Sequence, residues 1–130
     1  MRIVTGRLRF DDPLQIGPRT FLRLDELSVT FNHSCAPNCG LRNDSELFAI
    51  TDIRAGDELT YDYSLTVRPN IVTSRWHMPC NCGSPTCRAV IGNVLTVPMP
   101  TLMSYARIGA LQDHMRPLVC ARHRAATPDR

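Results

Sequence analysis

Asn32-His33-Ser34-Cys35-Ala36-Pro37-Asn38-Cys39-Gly40 is dense in turn-forming residues, and it reads as a loop entered from the apolar residues 27–31. Further on, Arg54-Ala55-Gly56-Asp57 is a turn and Glu58-Leu59-Thr60-Tyr61-Asp62-Tyr63 is strand-like. Alternation along a strand sets Tyr61 and Tyr63 on one face. Taken alone, Asn32 and His33 are loop-capping residues and the two tyrosines are an aromatic pair in a core. Asn32-His33-Ser34 also fits a glycosylation sequon, which is set aside because residues 1–10 carry three arginines and no apolar block of an export signal.

The second informative stretch is Cys80-Asn81-Cys82-Gly83-Ser84-Pro85-Thr86-Cys87. Gly83, Ser84 and Pro85 turn the chain between the thiols. Three sulfurs are thereby brought toward one point, while a structural zinc ion takes four ligands in a tetrahedron. Cys35, Cys39, Cys120, His77 and the other histidines can each supply the fourth ligand. Disulfide pairing and free thiols are the competing accounts, and an oxidising compartment has no support in the sequence.

Composition narrows the classes. With 130 residues, 43% of them hydrophobic, the chain can bury one small core. No run of about 18 apolar residues is present, so a membrane-spanning helix is not expected, and the cytoplasm is the default compartment. A net charge of +3 is too small to argue for nucleic acid, and the arginines are scattered rather than striped. All 15 basic residues other than histidine are arginine. Codon bias accounts for that, and its chemical consequence is that the chain offers no ε-amine of its own.

The remaining segments are short. Residues 1–10, 20–24 and 47–50 read as strands, Asp11-Asp12-Pro13 as a turn, and residues 65–75 as a linker without a clear period. Residues 101–114 are the best helix, with Leu102, Tyr105, Ala106 and Ile108 on one stripe, Thr101 as cap and Gly109 as a cost within it. Residues 121–130 are polar, basic and frayed. Ten prolines in so short a chain agree with many brief elements, and the pattern alone supports a small, mainly β domain with a zinc knuckle.

Three blocks together carry a resemblance. The Asn32–Asn38 loop resembles the signature loop of SET-domain protein lysine methyltransferases. The stretch Ala49-Ile50-Thr51-Asp52-Ile53-Arg54-Ala55-Gly56-Asp57-Glu58-Leu59-Thr60-Tyr61-Asp62-Tyr63 resembles the second signature, and the knuckle with Arg88 resembles the post-SET zinc motif. The resemblance covers about residues 14–92. It implies a mainly β fold with minor α content: a SET-type β-clip of small sheets with a C-terminal pseudoknot, a zinc knuckle and one C-terminal helix. The loop at 32–35 and the strand at 59–63 would be the halves of the pseudoknot. It divides the chain into a SET domain at 1–65, a linker at 66–79, the post-SET knuckle at 80–92 and a helix with basic tail at 93–130.

The same resemblance assigns roles. Asn32 and His33 line a site for S-adenosyl-L-methionine. Tyr63 is central to methyl transfer onto a lysine of a protein substrate, orienting the neutral amine and facing the partly positive methyl hydrogens. Tyr61 occupies a position where the family carries phenylalanine or tyrosine, and a tyrosine there is linked to lower methylation states. Cys35 joins Cys80, Cys82 and Cys87 to close a structural Cys₄ zinc site, which leaves Cys39 and Cys120 without a role.

Several departures accompany it. The Gly-x-Gly segment with which the family opens is not found ahead of the first matching strand, so Met1 enters the domain partway. Val29 and Ala89 stand where the family often has arginine and glycine. Two other functions compete with this reading: an inactive SET remnant that binds a protein tail through a zinc-stabilised surface, and a small zinc module that binds nucleic acid through its arginines.

Overall fold

The computed structural model describes residues 2–4, 13–69 and 77–126. Of the expected elements, the remainder of the first strand, most of the Asp11-Asp12-Pro13 turn, residues 70–75 of the linker and the last four residues lie outside the described residues.

The chain is built from short strands because turn residues interrupt it every few positions. Strands β1 (Arg2–Val4), β2 (Pro13–Gln15) and β3 (Phe21–Arg23) form an antiparallel sheet in the order β1-β3-β2. The Gly17-Pro18 turn joins the last two, closed by the Ile16 amide on the Thr20 carbonyl at 2.9 Å. Strand β4 (Asn32–His33) pairs with β7 (Thr60–Tyr61), and the pairing is parallel. Between them lies the antiparallel hairpin of β5 (Cys39–Arg42) and β6 (Glu46–Ala49). Asn43 and Asp44 both adopt positive φ at its tip, the conformation that short polar side chains tolerate best. The loop expected over Asn32–Gly40 is therefore confined to residues 34–38, between β4 and β5. The turn residues had masked a strand whose inner positions, Cys39 to Leu41, are buried.

Three other expectations are corrected. The helix expected over 101–114 is α1 (Met99–Arg107), with Pro100 in its first turn. Gly109 terminates it rather than costing it stability: its φ is +73°, and the Ala110 amide returns to the Tyr105 carbonyl at 2.9 Å. The tail expected to fray is helical as far as described, in α2 (Arg116–Ala126), which is anchored by buried Val119. Part of the expected linker is also ordered. Residues Tyr63–Thr66 form a 3₁₀ turn with Ser64, Leu65 and Thr66 buried.

The largest core cluster joins Leu65 to Val94, Val97, Leu102, Tyr105, Ala110, Leu111, Met115 and Val119. Leu102, Leu111 and Met115 are fully buried, each contributing on the order of 1.5–3 kcal/mol. Gly40 permits the close approach of β5 to this cluster, since a Cβ there would lie 2.8 Å from that of Ala110. A smaller cluster of Leu14, Leu22 and Leu41 packs under Tyr61. A third, of Cys35, Cys80 and Ile91, borders Tyr63. Small sheets and a C-terminal helical segment thus surround the β4–β7 pair, the arrangement expected of a SET-type fold.

Candidate functional site

The β4–β7 pair brings the two signature stretches together: Asn32 lies opposite Thr60 and His33 opposite Tyr61. Asn38 buckles the stretches to each other. Its Oδ1 accepts the Thr60 amide at 2.9 Å, and its Nδ2 donates to the Glu58 carbonyl at 2.8 Å. The Asn32 side chain is exposed and donates to Glu58 Oε1. The Tyr61 and Tyr63 rings pack together with centroids 4.8 Å apart, although the strand expected over 58–63 is only Thr60–Tyr61 and Tyr63 opens a 3₁₀ turn. The Tyr63 hydroxyl donates to the Phe31 carbonyl at 2.5 Å.

The His33 ring is nearly buried and is occupied on both nitrogens. Nδ1 accepts the Tyr63 amide at 3.1 Å, which assigns the proton to Nε2, 3.3 Å from Cys35 Sγ. Burial holds its pKa below the usual histidine value, Asp62 opposing and Arg88 reinforcing the shift. The 3.7 Å approach of Nδ1 to Asp62 is thus a contact of a neutral ring rather than an ion pair.

Asp62, between the tyrosines, is turned the other way and its side chain is fully buried. Oδ1 accepts from Arg88 Nη2 at 2.7 Å and from the Ser64 amide at 3.2 Å, and Oδ2 accepts from Tyr105 Oη at 3.3 Å. Burial and the carboxylate together push the Tyr105 phenol well above its usual pKa. Sequence reasoning missed this trio. The one available signal was the aspartate itself, a carboxylate flanked by two tyrosines that needs a cationic partner once buried.

The knuckle hangs from a ribbon of β8 (Met78–Pro79) and β9 (Val90–Ile91). Cys35 joins Cys80, Cys82 and Cys87, and the four sulfurs lie within 4.8 Å of one another. Cys35 and Cys87 lie 3.8 and 3.6 Å from Cys80, sulfur to sulfur. A tetrahedron with metal–sulfur bonds of about 2.3 Å requires about 3.8 Å between ligands, whereas a disulfide requires about 2.05 Å. The donor set therefore fits a tetrahedral, thiolate-preferring ion. Burial raises the Cys80 thiol to about 12, while the backbone amides of Cys35 and Ser84 lower Cys82 to about 6. Among the described residues, His77, Cys39 and Cys120 are not members of this group. Cys39 is a buried thiol and Cys120 an exposed one.

Residues 14–64 match the family model of the SET domain. The chain is 40% identical over 97 residues, 69% of its length, to Histone-lysine N-methyltransferase TRX1 of Oryza sativa subsp. japonica. It is 45% identical over 91 residues, 65% of its length, to an H3 lysine-4 specific histone-lysine N-methyltransferase of Mycosarcoma maydis. Over 68 residues, 47% of its length, it is 40% identical to an H3 lysine-36 specific enzyme of Homo sapiens. The matches cover 9%, 6% and 2% of those proteins, so the chain spans less than a tenth of the length of these curated relatives. No helix among the described residues is long and apolar enough to cross a membrane.

Proposed function

We propose, from the match of residues 14–64 to the SET-domain model and the similarity to histone-lysine N-methyltransferases, that the chain is an S-adenosyl-L-methionine-dependent protein lysine N-methyltransferase. The observation that carries the proposal is the convergence of Tyr63, the Phe31 carbonyl and the exposed edge of β4. The Phe31 carbonyl, the Tyr63 phenol and the Glu58 carboxylate offer acceptor oxygens there, which suit a sulfonium cation. When bound, S-adenosyl-L-methionine would supply an electrophilic methyl group for a neutral lysine amine, with a neutral thioether as the leaving group.

The chain's own residues serve that transfer in distinct ways. The Tyr63 hydroxyl donates its hydrogen bond to the Phe31 carbonyl, so toward the methyl hydrogens its phenol oxygen acts as an acceptor. Tyr61, packed on the Tyr63 ring, occupies the space beside the incoming amine and restricts how many methyl groups it can carry. Asn32 presents a polar side chain at the cofactor edge. His33 shapes that edge through its position, because both ring nitrogens are already engaged. Cys35, Cys80, Cys82 and Cys87 would hold a structural zinc ion that pins the knuckle beside the site.

The substrate class we propose is a lysine-bearing protein tail of the histone kind, since the relatives are named for histone lysines. The test is methyl transfer from labelled S-adenosylmethionine into a lysine-rich protein mixture, comparing the wild type with Tyr63→Phe. The variant should lose roughly 10²-fold or more of the rate. Equal labelling by both proteins would reject the assignment of Tyr63. A wild-type chain that binds no cofactor would instead support a zinc-stabilised protein-binding module.

A further inference from the structure

Arg88 directly follows Cys87 and touches both the sulfur cluster and the tyrosine turn. Its backbone amide lies 3.4 Å from Cys35 Sγ, and its guanidinium donates to Asp62 Oδ1 at 2.7 Å and to Ser64 Oγ at 3.4 Å. Ser64 Oγ also accepts the Gly92 amide at 3.2 Å, so the chain leaving the knuckle is tied to the same turn. Asp62 in turn accepts the Ser64 amide and opens the 3₁₀ turn that begins at Tyr63. A second line runs beside the first, from Cys35 Sγ through the His33 ring to the Tyr63 amide.

We propose that Arg88 and Asp62 are positioning residues that make the Tyr63 turn answer to the state of the four-sulfur cluster. Gathering the sulfurs on a dication fixes the main chain of Cys35 and Arg88. That presents the guanidinium to Asp62 in one geometry, and the carboxylate then holds the Ser64 amide and the start of the turn. With the sulfurs apart, Arg88 loses its anchor, and Asp62 is left a buried carboxylate with a poorly placed cation, a costly state that the turn relieves by opening. The cluster is thus a determinant of tyrosine geometry as well as a staple. The consequence for catalysis rests on the transferase reading, whereas the coupling is a property of the fold.

Amide hydrogen exchange of the full chain tests it, with zinc bound and after chelation, reading Tyr63 and Ser64 against the β5–β6 hairpin as reference. In the wild type, zinc should slow exchange at Tyr63 and Ser64 by tenfold or more beyond any change at the hairpin. In Arg88→Gln that excess should fall below threefold, although the protein still binds zinc, and Arg88→Lys should restore part of it. If Arg88→Gln fails to fold, Arg88→Lys, which keeps the charge but loses the forked contact to Asp62 and Ser64, should halve the excess or more. An excess equal to that of the wild type in the variant that folds overturns the proposal. So does a wild-type response spread evenly over the hairpin, or none at all. Absence of methyl transfer by the zinc-loaded wild type would sink the transferase reading alone and leave the exchange result standing.

Discussion

Three residues show how one position can carry more than its composition suggests. Tyr63 combines a hydroxyl held on Phe31, an amide held by His33 and a ring packed on Tyr61, so its geometry is set from three sides. Asp62 was legible as a polar residue in a strand, but its partners lie 26 and 43 residues away in the sequence. Ala89 adopts a φ of +65°, the left-handed backbone that favours glycine. A Cβ in left-handed backbone is costly, and glycine removes the cost while adding disorder to the unfolded chain. Ala89→Gly should therefore raise stability by about 0.5–1 kcal/mol, measured as a higher denaturant midpoint. An unchanged or lower midpoint would show that the turn is not strained.

At the level of elements, the knuckle is a ribbon of two-residue strands too short to hold itself. Its order comes from the sulfurs and from the main-chain bonds around them, including Cys80 to Ala89 at 2.8 Å and Cys87 to Ser84 at 3.0 Å. Two buried cysteines, Cys35 in the signature loop and Cys39 in β5, separate ligation from mere burial. Cys35→Ser should abolish tight binding of one metal ion per chain and lower the thermal midpoint. Cys39→Ser should leave metal stoichiometry at one, because its thiol lies outside the cluster. Metal content after dialysis decides between them, and retention of a full equivalent by Cys35→Ser would refute the assigned set.

Across the whole molecule, the C-terminal segment is held to the N-terminal sheets by a buried polar network. Gln112 donates to the carbonyls of Gln15 and Asp44 at 2.8 and 2.6 Å, bridging up to 97 residues of chain. His114 donates its amide to Asp44 at 2.9 Å, pairs Nε2 with Gln112 Oε1 at 3.2 Å and faces the Arg68 guanidinium with Nδ1 at 3.3 Å. Burial lowers the His114 pKa, Arg68 lowers it further, and Asp44 and Asp113 oppose them. The folded state therefore favours the neutral ring. Its contribution to stability is full above the unperturbed value of about 6.5 and is lost as pH falls through the lower folded value. Thermal midpoints between pH 7.5 and 5.5 should fall further in the wild type than in His114→Gln. Parallel declines in the two proteins would remove His114 from the network's acid response.

What the sequence determined by itself was local: the Ser34–Asn38 turn chemistry, the Tyr61–Tyr63 spacing, the Arg54–Asp57 turn and the three clustered thiols. In each, the chemistry lies in contiguous residues, so turn preference and period suffice to read it. Tertiary structure alone decided what depends on distance through space. It ended α1 at Gly109 and continued a helix through the basic tail. It made residues 39–42 a strand, because cross-strand pairing and burial against Ala110 outweigh the turn preference of Asn38-Cys39-Gly40. It also selected Cys35 among the possible fourth ligands and gave the Asp62 carboxylate its cation. A buried charge and a four-coordinate site each need partners from separate parts of the chain, and only a closed fold brings those partners within bonding distance.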